Sequence, residues 1–452
     1  MYAIVQAGKS HQQIRRSLQL AALGDLLPDR EIELIAGGLG HRWRRRMLPP
    51  GPTVRSMVYR GLHPDHSIAG MLADLAALLG PDVAAPTDSA WCQARSRLPE
   101  AVLMDLIVRR ARQCRRRFGK LHQWRGRYVY RIDGSTVSMP DEPALVRAFG
   151  YADTRHGASR FPLARVAFIE LAGLDVIWDY RINAYTSSEE WLLYGMWDTL
   201  PGGCICLMDR RFCSFYNLAK LRQRHIDVIT PLHHRRDPQK LIRQGRPLGK
   251  NEWLVRLDVA PQLRRQYDDP TLPAALWVRL IRVTYWRGKK KHVLWLVTTI
   301  TDSVNYPRSQ IERLYRRRWG IETRIGSLKT TLEMNVLRGK SVNAVRREVA
   351  SIILGHNLLW MLIHEAAATT CAPAEDISFA GAVKTVLAFS SELRHAEGAS
   401  RQQVRQQMIL HIAAQRNHHP FDRVEPRLLK RETARYAFLR EPRWKARLKC
   451  LS

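Results

Sequence analysis

The sequence predicts an α/β fold: a mixed sheet with helices packed on it, set between a helical N-terminal region and a helical C-terminal region. Three observations predict it. Strand patterns crowd into the middle of the chain, first as a hairpin and then alternating with helices. Residues 1 to about 118, and the chain beyond Leu337, read as helix. One strand, Cys204–Met208 (CICLM), is wholly apolar, as the centre of a buried sheet requires.

Composition sets the outer limits. A chain of 452 residues has room for two or three domains, and 45% apolar residues can bury real cores. The formal net charge is +32. Such an excess on a folded chain points to a polyanion: DNA, RNA or an acidic membrane surface. No run of eighteen apolar residues occurs, so no transmembrane helix is expected. The opening MYAIVQAGKSHQQIRR lacks the order of a signal peptide. Seven scattered cysteines fit a reducing cytoplasm. Nucleic acid is the leading partner before any motif is considered.

The N-terminal region reads as short helices. One is expected near Ile14–Leu27, ending at Pro28, and a second from Asp29 into the glycines at 37, 38 and 40. HRWRRR (41–46) follows. Thr53–Tyr59 and Ser67–Leu79 are two more helices. Thr87 or Asp88 caps a helix through Arg97, and Pro99 opens another that ends in an Arg-rich run, Arg109 to Arg117. Compact helices with such arginines suit DNA binding of the helix-turn-helix kind.

Tyr128–Ile132 (YVYRI) then reads as a strand running straight into Asp133-Gly134. Arg165–Leu171 and Asp175–Ile182 form a hairpin around Ala172-Gly173. Ser187 or Ser188 caps a helix through Leu200. Cys204–Met208 ends at Asp209, Ser214–Arg224 is a helix, and Ile226–Pro231 is another strand. Alternating strands and polar turns from about 233 to 291 read as a β-rich insertion. Val293–Ile300 returns to a buried-strand pattern. Val342–Thr369 is a long helix, and residues 401–452 hold thirteen Lys/Arg against four Asp/Glu.

Between them, Tyr306–Lys329 (YPRSQIERLYRRRWGIETRIGSLK) reads as one helix opened by Pro307. At about 100° per residue, Tyr315, Arg318, Glu322 and Lys329 fall within roughly 60° of one another. A solvated charged face is the plain reading of such a stripe. A lone carboxylate among arginines and aromatics also suits a metal ion beside a phosphate backbone. Asp133 and Asp209 strengthen that second reading. Charged groups where buried strands end are costly unless paired or metal-bound. Three acids gathered by two strands and one helix make a site for phosphoryl transfer with two hard divalent ions, Mg²⁺ or Mn²⁺. Cys204, Cys206 and Cys213 lack a zinc-ligand pattern and read as buried thiols. Trp319 reads as a helix-packing residue, with stacking on an unpaired base as its functional alternative.

The spacing Tyr315-x2-Arg318-x3-Glu322-x6-Lys329 resembles the Tyr-Arg-Glu-Lys signature of DDE transposases of the insertion sequence four family. IDGST around Asp133 and LMDRRFCS around Asp209 resemble that family's two Asp motifs, with Arg211 where Gly is usual. TDSAWCQARSRL, LRGKS and ISFAGAV extend the resemblance over most of the chain. It implies a ribonuclease-H-like core interrupted by a β-strand insertion. The expected organisation is a helical DNA-binding domain at 1–120, the catalytic domain at 121–335 with its insertion at 233–291, and a basic helical region at 336–452. It further implies Asp133, Asp209 and Glu322 as metal ligands, with Tyr315, Arg318 and Lys329 on DNA phosphates at the element end. The partners implied are double-stranded DNA at element ends and target, and a second copy of the chain or a larger assembly. The localisation implied is cytoplasmic, at the nucleoid. A catalytically inactive DNA-binding descendant and a nuclease on the same core are the alternatives.

Overall fold

The computed structural model describes residues 24–417, except 45–47, 66, 80–85, 155–156 and 288–289, together with Leu448. The helix near Ile14–Leu27, all but its end, and the basic run after Pro420 thus lie outside the described residues.

Five helices come first: α1 (Asp29–Gly38), α2 (Pro50–Leu62), α3 (Ile68–Leu79), α4 (Asp88–Arg97) and α5 (Glu100–Phe118). Thr87 caps α4 by accepting from Ala90 N at 3.2 Å. Some arginines of α5 have partners within the fold. Arg110 pairs with Glu31 of α1, Arg109 with Asp105, and Arg115 lies over Tyr128 and Trp178.

The middle of the chain builds one nine-stranded sheet. Its strands are β1 (Val129–Ser138), β2 (Leu163–Leu171), β3 (Val176–Ala184), β4 (Ile205–Met208), β5 (Asp227–Pro231), β6 (Arg246–Gly249), β7 (Glu252–Asp258), β8 (Ala275–Arg287) and β9 (Lys290–Thr298). The order across the sheet is β3-β2-β1-β4-β5-β9-β8-β7-β6. β1, β4 and β5 are parallel neighbours, and every other pairing is antiparallel. Helices α6 (Pro143–Phe149), α7 (Glu189–Tyr194), α8 (Phe215–Gln223), α9 (Pro238–Arg243) and α10 (Pro261–Tyr267) fill the connections. Ser188 and Ser214 cap α7 and α8 through Trp191 N and Asn217 N. The β-rich segment forms no sheet of its own. β9 pairs with β5, Val297 opposite Thr230, so the segment extends the central sheet.

Beyond the sheet come α11 (Arg308–Arg316), α12 (Trp319–Thr330), α13 (Val342–Thr370), α14 (Phe379–His395) and α15 (Gly398–Ala414). By length and composition α13 is apolar enough to cross a membrane, but 94% of its most apolar stretch is buried inside the protein. It packs against α2, α5, α15 and the edge strand β3. Asn357 of α13 completes that edge: its Oδ1 accepts from Ile177 N and its Nδ2 donates to Ile177 O, both at 2.7 Å. One continuous apolar core reaches from Leu26 to Ala413, so helices from both ends of the chain share it with the sheet.

Candidate active site

The parallel pairing of β1 with β4 stops at Ile132 opposite Met208. The next residue on each strand is an acid. Asp209 leaves the sheet and caps a short turn, its Oδ1 accepting from Arg210 N at 2.6 Å. Asp133 stays in the sheet, because β2 continues alongside with Phe168 opposite it. The sequence pattern placed Asp133 after a strand; it stands within one, at the point where one neighbour ends. Gly134 follows because the carboxyl of Glu189, from α7, lies over it. A Cβ there would sit 2.3 Å from Glu189 Cδ.

Glu322 comes from the helical stretch, which is two helices and not one. Between α11 and α12, Arg318 N, Gly320 N and Ile321 N each bond to the carbonyl three residues back. The physical reason lies on β1. Arg131 Nη1 donates to Arg317 O at 3.1 Å, and a Cβ at position 320 would fall 1.7 Å from that same nitrogen. The guanidinium thus occupies the space beside Gly320 and draws off the carbonyl that would accept the next α-helical bond.

The four-residue stripe survives this break. Alternate residues of β1 share one face, and this face meets the stripe. Arg318 Nη1 lies 3.4 Å from Asp133 Oδ2, and its Nη2 lies 2.7 Å from Glu322 Oε1. Lys329 Nζ donates to Ser135 Oγ at 3.3 Å. Tyr315 Oη donates to Met208 O at 3.4 Å, beside Asp209, and burial pushes its pKa up. Arg318, read from sequence as a phosphate ligand, is engaged with two carboxylates. Burial works against its charge, but Tyr315, Glu322, Asp133 and Asp209 outweigh that and raise its pKa. Asp133 is pushed up to about 6, by burial first and then by the charges of Asp209 and Glu322, while the Gly134 N–H and Arg318 pull it down.

The donor set is three carboxylates, hard oxygen ligands that suit Mg²⁺ or Mn²⁺ in kind. Among the described residues no three His, Cys, Asp or Glu side chains stand close enough to share one ion. Arg318 stands between two of the acids.

A cleft of about 1030 Å³ opens beside Asp209 and Arg318. Arg210, Arg211, Arg316, Trp286 and Trp319 line it. Trp319 is 67% exposed, so it is not the packing residue its sequence context implied. Cys204, Cys206 and Cys213 are buried thiols. Sequence reading missed Glu189, Arg131 and Asp175. For Arg131 a signal existed: an arginine inside an apolar strand must find a buried partner.

A family model described as the transposase DDE domain matches residues 124–358, more than half of the chain. The chain belongs to the DDE transposase family. It is 28% identical over 352 residues to the transposase InsG for insertion sequence element IS4 of Escherichia coli strain K12, covering 75% of this chain and 76% of that one. A looser likeness joins it to a piggyBac transposase solved as a synaptic complex with hairpin DNA: TM-score 0.44 and 11% identity, over 90% of this chain and 86% of the other. A likeness that loose fixes neither fold nor function. The family match begins at Trp124, just before β1, and ends within α13, so it spans the sheet and all three acids of this DDE transposase chain.

Proposed function

We propose that this transposase binds the terminal inverted repeats of its own mobile element, cleaves at their ends, and joins the freed 3′-hydroxyl to target DNA. One observation carries the reading. Asp133 and Asp209 emerge at adjacent strand positions, and Arg318 links Asp133 to Glu322 across the gap. Two divalent ions held by these acids would activate the attacking oxygen and neutralise the leaving one. The rest of the chemistry is positioning. Arg318 would exchange its carboxylates for a DNA phosphate, which its planar fork grips bidentately. Lys329 adds a point charge two residues along β1, at Ser135, and Tyr315 a hydroxyl beside Asp209.

The order β3-β2-β1-β4-β5, with β4 and β5 parallel to β1, supports the ribonuclease-H-like reading of the core, and β6–β8 fall in the 233–291 segment expected as its insertion. We assign DNA binding to the helical N-terminal region. Two ends must be cut and joined together, so the acting species is a dimer or larger. The test is Glu322→Ala on an end-containing duplex with Mg²⁺ or Mn²⁺. Nicking should vanish while end binding persists. Nicking that survives this change overturns the assignment of the site, and cleavage without strand transfer makes the protein a nuclease.

A further inference from the structure

A buried ionic bridge ties the strand of Asp133 to the helix of Glu322. Arg131 lies two residues before Asp133 on the same face of β1, and Arg324 lies two residues after Glu322 on α12. Asp175, in the turn between β2 and β3, holds both. Its Oδ1 accepts from Arg131 Nη2 at 2.5 Å, and its Oδ2 pairs with Arg324 Nη2 at 2.9 Å. Glu170 shares that Nη2 of Arg131 at 2.7 Å and also accepts from Arg131 Nε at 2.8 Å. The guanidinium of Arg324 is braced 4.5 Å over the ring of Trp360.

We infer that Asp175 is a positioning residue of the carboxylate site, acting through Arg131 and Arg324 to set the separation and mutual aim of Asp133 and Glu322. The inference rests on the proposed role of those two acids. A buried ionic network of this kind gives little stability that apolar packing would not also give. What it fixes is geometry. Arg131 also holds Arg317 O and fills the space beside Gly320, so it defines where α12 begins. Arg324 is about 200° round the helix from Glu322. Its bond to Asp175 therefore sets the roll of α12 about its axis, and with it the direction of Glu322.

A matched comparison lies at the far end of the parallel strands. Asp227 opens β5 opposite Ile205, the first residue of β4. It too is a carboxylate between two arginines, Arg127 at 2.7 Å and Arg222 at 2.9 Å. Asp175→Asn and Asp227→Asn in the full chain should cost comparable stability in thermal unfolding. Only Asp175→Asn should speed hydrogen exchange over residues 319–330, by about tenfold, as expected when a residue in contact is uncoupled. It should also weaken Mn²⁺ binding in calorimetry about tenfold and lower the cleavage rate at fixed Mn²⁺ by a similar factor. End affinity should stay within about threefold, and raising Mn²⁺ should recover the rate. Arg324→Lys, which keeps a cation for Asp175, should restore what Arg324→Met loses. That pair serves also where Asp175→Asn does not fold. The inference is overturned when both Asp→Asn variants change exchange in 319–330 alike, when neither does, or when Arg324→Met behaves as wild type. The exchange comparison needs neither metal nor DNA. A wild-type chain that binds no Mn²⁺ and cuts nothing would therefore defeat the proposed function while leaving the bridge to be decided by exchange.

Discussion

Asp133 and Asp209 stand side by side because Ile132 and Met208, the residues before them, are opposite one another on parallel neighbouring strands. Their adjacency is a property of strand register, set by an apolar core and independent of any ligand. Groups held together in this way should act as one unit. Asp133→Asn and Asp209→Asn should each slow single-turnover end cleavage by about 10³-fold or more, the loss expected when several kcal/mol of charge stabilisation is removed. The double variant should be little worse than either, as is usual for residues that work as a unit. Losses that multiply, or a single variant that keeps a tenth of the rate, would separate the two acids.

Much of the frame was legible in the chain. YVYRI, CICLM and the hairpin around Gly173 appear as β1, β4 and the β2–β3 pair, because burial on both faces or alternation leaves a local signature. Thr87 and Ser188 were readable as caps for the same local reason. What could not be read depends on partners distant in sequence. The break at Arg317–Arg318 comes from Arg131 of β1; Gly320 marks a weak point in the helix, but nothing in RRRWGIE names the distant arginine that uses it. The 233–291 segment reads as a β-rich insertion within the catalytic domain, and its strand pattern does not say that β8 will join the central sheet through β9, which pairs with β5. Asp175 reads in sequence as the first residue of a strand, yet it lies in the turn before β3 and joins two arginines far apart in the chain.

Lys329 reaches Ser135, two residues along β1 from Asp133. Lys329→Ala should weaken end binding across sequences and lower the slope of log affinity against log salt by about 1, the contribution of one phosphate contact. Filter binding or anisotropy over a salt series measures this. An unchanged slope would place Lys329 off the DNA.

Trp319 separates two readings of one residue. A packing tryptophan would cost several kcal/mol on truncation. One that is 67% exposed should leave the unfolding midpoint nearly unchanged, within about 0.5 kcal/mol. If it stacks on an unpaired base, Trp319→Ala should lose about 1–3 kcal/mol of affinity for a duplex carrying one. Affinity for a fully paired duplex should hardly change. Equal losses on both substrates would assign it to backbone contact.

Two histidines of α13 give the fold an acid limit. His356 is buried beside Trp360, whose Nε1 donates to its Nε2 at 3.2 Å, and burial lowers its pKa to about 3. His364 faces Leu174 O at 3.0 Å, and burial lowers it to about 4. Both folded values lie below the ordinary 6.5, so the folded protein binds fewer protons than the unfolded chain in that window. Stability is therefore full above about pH 6.5 and falls as pH drops toward 4, by about 2 kcal/mol per histidine between pH 6.5 and 5. Urea denaturation at pH 7 and 5 should show the loss in wild type. A His356→Gln variant should show a smaller one. An identical pH dependence in both would mean that His356 is not buried neutral.

Asn357 tests the closure of the sheet edge. Replacing it by Leu keeps the volume but leaves Ile177 N–H and C=O facing an apolar side chain with no partner and no water. Each buried unsatisfied group costs about 1–3 kcal/mol, so Asn357→Leu should lower stability by roughly 2–5 kcal/mol despite its greater hydrophobicity. Denaturant unfolding should show a shifted midpoint with an unchanged m-value, as for a loss within an otherwise intact native state. Amide exchange at β3 should rise ahead of exchange at β1, because β1 is paired on both sides and β3 on only one. A neutral or stabilising substitution would mean that the edge of β3 finds its hydrogen bonds elsewhere and that α13 covers it by packing alone.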